Sequence, residues 1–193
     1  MTLRALATAP LLAAALLLAL FSAPVVRADE EKARLSDIVV TNTRDDLLVY
    51  LQAQGCFTEP ITEAVLNGVP TTFSFFVSLY SIRDFWMDKE IADLTINRTI
   101  KYDSMKKEFT VIRSEDPDNP LRTHSFSEAK KAMAEVNSLQ VVSLSRLEKG
   151  RPYQIKAKAS LDRVTLPLYL HHVLFFVSLW DFETDWYTIN FHY

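Results

Sequence analysis

The clearest hydrophobic pattern in the chain covers residues 153–161, where Tyr153, Ile155, Ala157, Ala159 and Leu161 alternate with Gln154, Lys156, Lys158 and Ser160. A period of two puts successive side chains on opposite faces of a strand, so one face is dry and the other wet. Residues 35–43 and 47–53 are further β-rich runs, and Arg44-Asp45-Asp46 between them predicts a hairpin. Residues 71–83 predict a long aromatic strand. Residues 91–101 and 109–113 flank a turn at Asp103-Ser104 and predict a second hairpin, while 139–147 and 186–192 predict two more strands.

Helical spacing is confined to short stretches. Residues 59–67 have it, with Pro60 near the start and Gly68 as a C-terminal stop. Ser127 reads as an N-cap with Glu128 in the first turn, which predicts a helix over 129–136. Ser114 to Pro120 is the most loop-like stretch, because two prolines and three acidic residues oppose regular structure. Residues 166–180 are apolar except for His171, His172 and Ser178, and periodicity does not separate helix from strand in such a run. Length and Pro167 favour a buried helix there. These elements predict an α+β fold, mainly antiparallel β as a hairpin-rich sheet or sandwich, with two or three short helices.

One internal echo stands out. Phe75-Phe76-Val77-Ser78-Leu79-Tyr80 recurs as Phe175-Phe176-Val177-Ser178-Leu179-Trp180, and each copy has a tryptophan six residues after its end, Trp86 and Trp186. Each copy also follows a predicted hairpin, residues 35–53 before the first and 139–161 before the second. Duplication and shared demands on core segments both account for a match this short.

The N-terminus changes the picture from fold to destination. Arg4 precedes an uncharged, Leu- and Ala-rich run over residues 5–26, and Val26-Arg27-Ala28 is followed by Asp29-Glu30-Glu31. This is the pattern of a secretory signal peptide ending at Ala28, which predicts a single globular domain over 29–193 in the periplasm. The alternative is an uncleaved segment that anchors the domain to the outer face of the inner membrane. Loss of Arg4 and Arg27 leaves 19 basic against 24 acidic residues, net −5, without a basic run. Such a balance disfavours a nucleic-acid partner. The single cysteine, Cys56, rules out an internal disulfide framework and reads as a small buried apolar residue.

Candidate chemistry is sparse. Gly55, Gly68 and Gly150 are isolated, so the clustered glycines of phosphate-cradling loops are missing, as is a Gly-x-Ser-x-Gly elbow. Neither a cofactor nor an enzymatic activity is expected. The adjacent His171 and His172 diverge on either a strand or a helix, and His124 and His192 match no zinc spacing. Asp181, Glu183 and Asp185 alternate with Trp180, Phe182 and Trp186. On a strand this sets acids on one face, either as charges that guard a sticky aromatic strand or as a partner-binding strip. Phe73, Phe75, Phe175 and Phe176 read as core, with an apolar groove for a lipid tail or partner segment as the sharper alternative. Asn97-Arg98-Thr99 fits a glycosylation sequon.

Ile38-Val39-Val40-Thr41-Asn42-Thr43-Arg44-Asp45, Gly68-Val69-Pro70-Thr71-Thr72-Phe73 and Ser145-Arg146-Leu147-Glu148-Lys149-Gly150 resemble a proteobacterial family of exported proteins, domain-of-unknown-function family 4390. The tail, Phe175 through Tyr187, is the most specific part of that resemblance, which covers essentially the whole chain after the leader. It implies a bacterial envelope protein without assigned activity, encoded in some cases near nitrogen-regulation-type sensor kinases. The expected function is therefore a non-enzymatic protein-interaction module with an envelope partner such as a membrane-bound sensor. A carrier of a small apolar ligand or lipid is the alternative.

Overall fold

The computed structural model describes residues 32–162 and 182–193. The leader, the 166–180 segment, its histidine pair and the second copy of the echo lie outside the described residues. The first copy is strand.

The elements run β1 (Arg34–Asn42), β2 (Asp46–Gln54), α1 (Glu59–Leu66), β3 (Thr71–Ser81), β4 (Lys89–Asp103), β5 (Glu108–Arg113), β6 (Asp116–Thr123), α2 (Phe126–Ala134), β7 (Glu135–Ser143) and, after a 3-10 turn at Leu144–Arg146, β8 (Pro152–Leu161) and β9 (Tyr187–His192). They form two antiparallel sheets, ordered β1-β2-β7 and β6-β5-β4-β3-β8-β9. The α+β class and its antiparallel character are as the hydrophobic pattern predicts.

Alternation decides which faces meet. In β8 every odd-numbered residue from Tyr153 to Leu161 is buried. In β3 Phe73, Phe75, Val77 and Leu79 are fully buried, and β2 contributes Leu47, Val49, Leu51 and Ala53 from the smaller sheet. Ile61, Ala64 and Val65 of α1 and Ala129, Met133 and Ala134 of α2 are buried too. Gly68 takes φ +80 just past α1 and donates to the Val65 carbonyl at 2.9 Å, a helix stop that favours a residue without Cβ.

Three expectations need correction. The stretch 114–120 is not a loop throughout, because β6 starts at Asp116 and takes in Pro117 and Pro120. Among the described residues β6 pairs only with β5, and an outer strand tolerates residues that cannot donate a ladder hydrogen bond. Helix α2 starts earlier than predicted, with Ser125 as its N-cap accepting from the Glu128 N–H at 3.3 Å. Val136 belongs to β7 instead. Finally, β7 and β8 are not a hairpin: β7 pairs with β2 in one sheet, and β8 lies between β3 and β9 in the other. The pair of strands before the second echo copy therefore differs from the β1–β2 hairpin.

Candidate functional site

The tail strip is built by pairing with β8. Glu183 lies opposite Ser160, and Thr184 donates its N–H to the Ala159 carbonyl at 2.9 Å. Phe182 and Thr184 are buried while Glu183 and Asp185 are exposed, which is the alternation expected of a strand. The pattern then breaks. Tyr187 lies opposite Ala157, so four steps along the tail match three along β8, a one-residue bulge at Asp185-Trp186.

The bulge turns Trp186 outward, where it is 50% exposed on the same side as the acids instead of opposite them. There Lys158 Nζ sits 4.9 Å from the Trp186 ring centroid and 5.3 Å from that of Phe76, while pairing with the Glu183 carboxylate. Two residues away along β8, on the same face, Lys156 lies over Tyr80 of the neighbouring β3 at 5.2 Å. An ammonium held between two rings and a carboxylate fixes an otherwise mobile aromatic side chain. The structure thus brings Glu183, Asp185 and Trp186 together. Trp180 and Asp181, the other members of the strip, lie outside the described residues.

Phe73 and Phe75 do not border an open groove. Phe73 packs against Phe57 at 5.0 Å and edge-on to Phe182 at 5.1 Å, and Phe75 lies beside it, both without solvent exposure. β3 is a central strand flanked by β4 and β8, so its apolar face is the middle of the core. Phe175 and Phe176, the other two residues of the expected groove, are outside the described residues.

Among the described residues the most exposed contiguous apolar surface lies elsewhere, on the loop between β3 and β4. Phe85, Trp86 and Met87 are 98%, 78% and 84% exposed. Asp88 Oδ1 accepts from the Arg83 N–H at 3.2 Å across the base of this loop, and the paired Ser81 and Lys89 sit below it. Sequence periodicity does not find this site, because it lies between elements. The available signal was Phe-Trp-Met bounded by Asp84 and Asp88, three large apolar residues inside a polar connection.

A cleft of about 300 Å³ opens between α2 and β4–β6, lined by Arg98, Arg113 and Lys131 against Glu115, Glu128 and Glu135. Its charges balance. Arg98 points inward from β4 and is buried; it donates to the Glu115 carboxylate (Nε at 3.0 Å), to the Ala132 carbonyl at 2.6 Å and to the Glu135 carbonyl. Those carbonyls belong to the last turn of α2 and the residue after it, where the helix dipole favours a cation. Burial pulls the guanidinium below its ordinary value, and the hydrogen bond and charge of Glu115 oppose that shift. All of this ties the fold together. His124 Nδ1 lies 2.9 Å from the Lys107 carbonyl, and His192 sits on β9.

No helix among the described residues is long and apolar enough to cross a membrane. No curated protein and no solved structure matches the chain. A model of the family described as Domain of unknown function (DUF4390) matches residues 30–190, and the chain belongs to that family.

Proposed function

We propose that the chain is an exported, non-enzymatic module of the bacterial envelope that binds another protein through the loop between β3 and β4. One observation carries this reading: Phe85, Trp86 and Met87 stand contiguous and almost fully in solvent. Adjacent large apolar side chains left in water gain free energy when a partner covers them, and Trp is prominent among residues that dominate interface energetics. The loop is pinned at its base by Asp88 and Arg83, which lowers the ordering cost of association. Asp84 and Asp88 flank the apolar triad and favour a partner cleft with a basic rim.

Export is supported by the leader, and an envelope partner follows from export. A non-enzymatic role is supported by the sequence, which offers neither clustered glycines nor a nucleophile elbow. The test places a photo-reactive residue at position 86 in the native host, with position 106 on the β4–β5 turn as control. The reading expects a discrete adduct from 86 alone, identified as one envelope protein, and reproduced with the two purified proteins. Membrane-bound sensor kinases are the first candidates to probe. Equal adducts from both positions, or none from 86, overturn it.

A further inference from the structure

An outer strand of a sheet is a template for another strand, because its outward N–H and C=O groups lack ladder partners. Among the described residues the two sheets have four outer strands, and three of them carry features that oppose further pairing. β6 contains Pro117, flanked by Asp116 and Asp118, and then Pro120. β1 breaks register between Ser36 and Val39, with Asp37 at φ +51. β7 shifts register twice against β2 and holds Ser138 at φ +57. Each device twists or interrupts the edge.

β9 has none of them. Tyr187-Thr188-Ile189-Asn190-Phe191-His192 contains no Asp, Glu, Lys, Arg or Pro, and it pairs with β8 residue for residue from Tyr187 to His192 without a shift. All six residues are exposed or half-buried, including Tyr187, Ile189 and Phe191 on the core side of the sheet. β-branched and aromatic residues suit an extended, half-buried surface. A regular, uncharged edge of this composition is one that a partner strand completes.

We infer that β9 pairs antiparallel with β9 of a second copy of this chain, about a two-fold axis through Ile189, joining two six-stranded sheets into one. The strand is self-complementary in that register. Ile189 faces its own counterpart, Tyr187 faces Phe191, and Thr188 faces Asn190, so an aromatic pair and a β-branched pair form on the core side. No charges of like sign oppose each other. A two-fold pairing also closes both open edges at once and leaves no free end for further growth. Opposed Cβ atoms in such a ladder lie about 5 Å apart.

The inference is independent of the β3–β4 loop and is tested on the protein purified from its native host as the cell processes it. Sedimentation equilibrium is expected to give the mass of two chains. Ile189→Lys sets two like charges opposite each other and is expected to raise the dimer dissociation constant at least about tenfold. Val39→Lys on β1 leaves the dimer intact. With Cys56→Ala as background, Ile189→Cys is expected to form a disulfide-linked dimer under mild oxidation, and Thr188→Cys much less of it, because its counterpart is Asn190. The Cys pair keeps the test valid should the lysine variant fail to fold. A monomeric wild-type protein, or Cys variants that cross-link equally, overturns the inference. Trp86→Ser leaves the dimer unchanged, which separates this surface from the loop.

Discussion

Cys56 lies in the core, where its Sγ approaches the Gln54 carbonyl at 3.6 Å, and desolvation pushes the thiol up from 9.0 to about 12. The native state therefore holds the proton that the unfolded chain releases above about pH 9. A raised pKa means that this contribution is present below the unfolded value and is lost as pH climbs toward the folded one. Stability should fall between about pH 9 and about 12 by up to ~1.4 kcal/mol per pH unit from this group. Lysines and tyrosines titrate in the same window, so the measurement is the difference between wild type and Cys56→Ala in urea melts across that range. A shared slope in the two proteins would refute it. Arg98 makes a larger claim at this scale. Its guanidinium joins β4, the Glu115 turn and the end of α2, and Arg98→Ala leaves two carbonyls and a carboxylate without their donor. Glu115 is partly exposed and recovers some hydration, so the expected cost is about 2–4 kcal/mol in denaturant midpoints. Arg98→Lys should recover little of it, because a single ammonium cannot span the three acceptors.

Among the elements, those with a strong internal period were legible in the sequence and those defined by pairing were not. β8 shows its buried face in the alternation from Tyr153 to Leu161, and β2 and β3 do so nearly as well. β6 was hidden, because Pro117 and Pro120 read as loop until the strand is seen paired with β5 at the outside of the described sheet. The Trp186 site was half legible. Alternation marks Glu183 and Asp185 as exposed, but Lys158 lies 28 residues before Trp186 and reaches it only through a bulge that no local pattern announces. The start of α2 was misplaced for a smaller reason. Ser125 and Ser127 both suit an N-cap, and the spacing that decides between them is Ser125 to Glu128, in which the serine accepts from the Glu128 N–H. Ser125→Ala is therefore expected to cost about 1 kcal/mol in thermal or denaturant melts, and Ser127→Ala to fall within about 0.5 kcal/mol of wild type. Equal effects would mean that Ser125 does not cap the helix.

At the scale of the whole molecule the core depends on how closely the two sheets approach. β1 of the smaller sheet comes into contact with β8 of the larger one, and the core face of β8 includes Ala157 and Ala159, both with no solvent exposure. The neighbours of Ala157 along the sheet are Val77 on β3 and Tyr187 on β9. Small residues on this buried face leave no slack for larger ones, since interiors are packed too densely to absorb extra methylenes without displacement. Ala157→Leu should force the sheets apart or drive side chains off their rotamers, at a cost of about 1–3 kcal/mol. The matched change at Ala92, a half-buried position on β4, should stay within about 0.5 kcal/mol. Urea unfolding checks both, with the slope as a second readout: an unchanged slope with a lower midpoint places the loss in native packing. Indifference at Ala157 would mean that the sheets are already far enough apart there to hold a larger side chain. Because β8 is the strand that carries β9, a displacement at Ala157 should also disturb the regular ladder from Tyr187 to His192. Amide exchange along β9 would then quicken in the Leu variant and not in the Ala92 control.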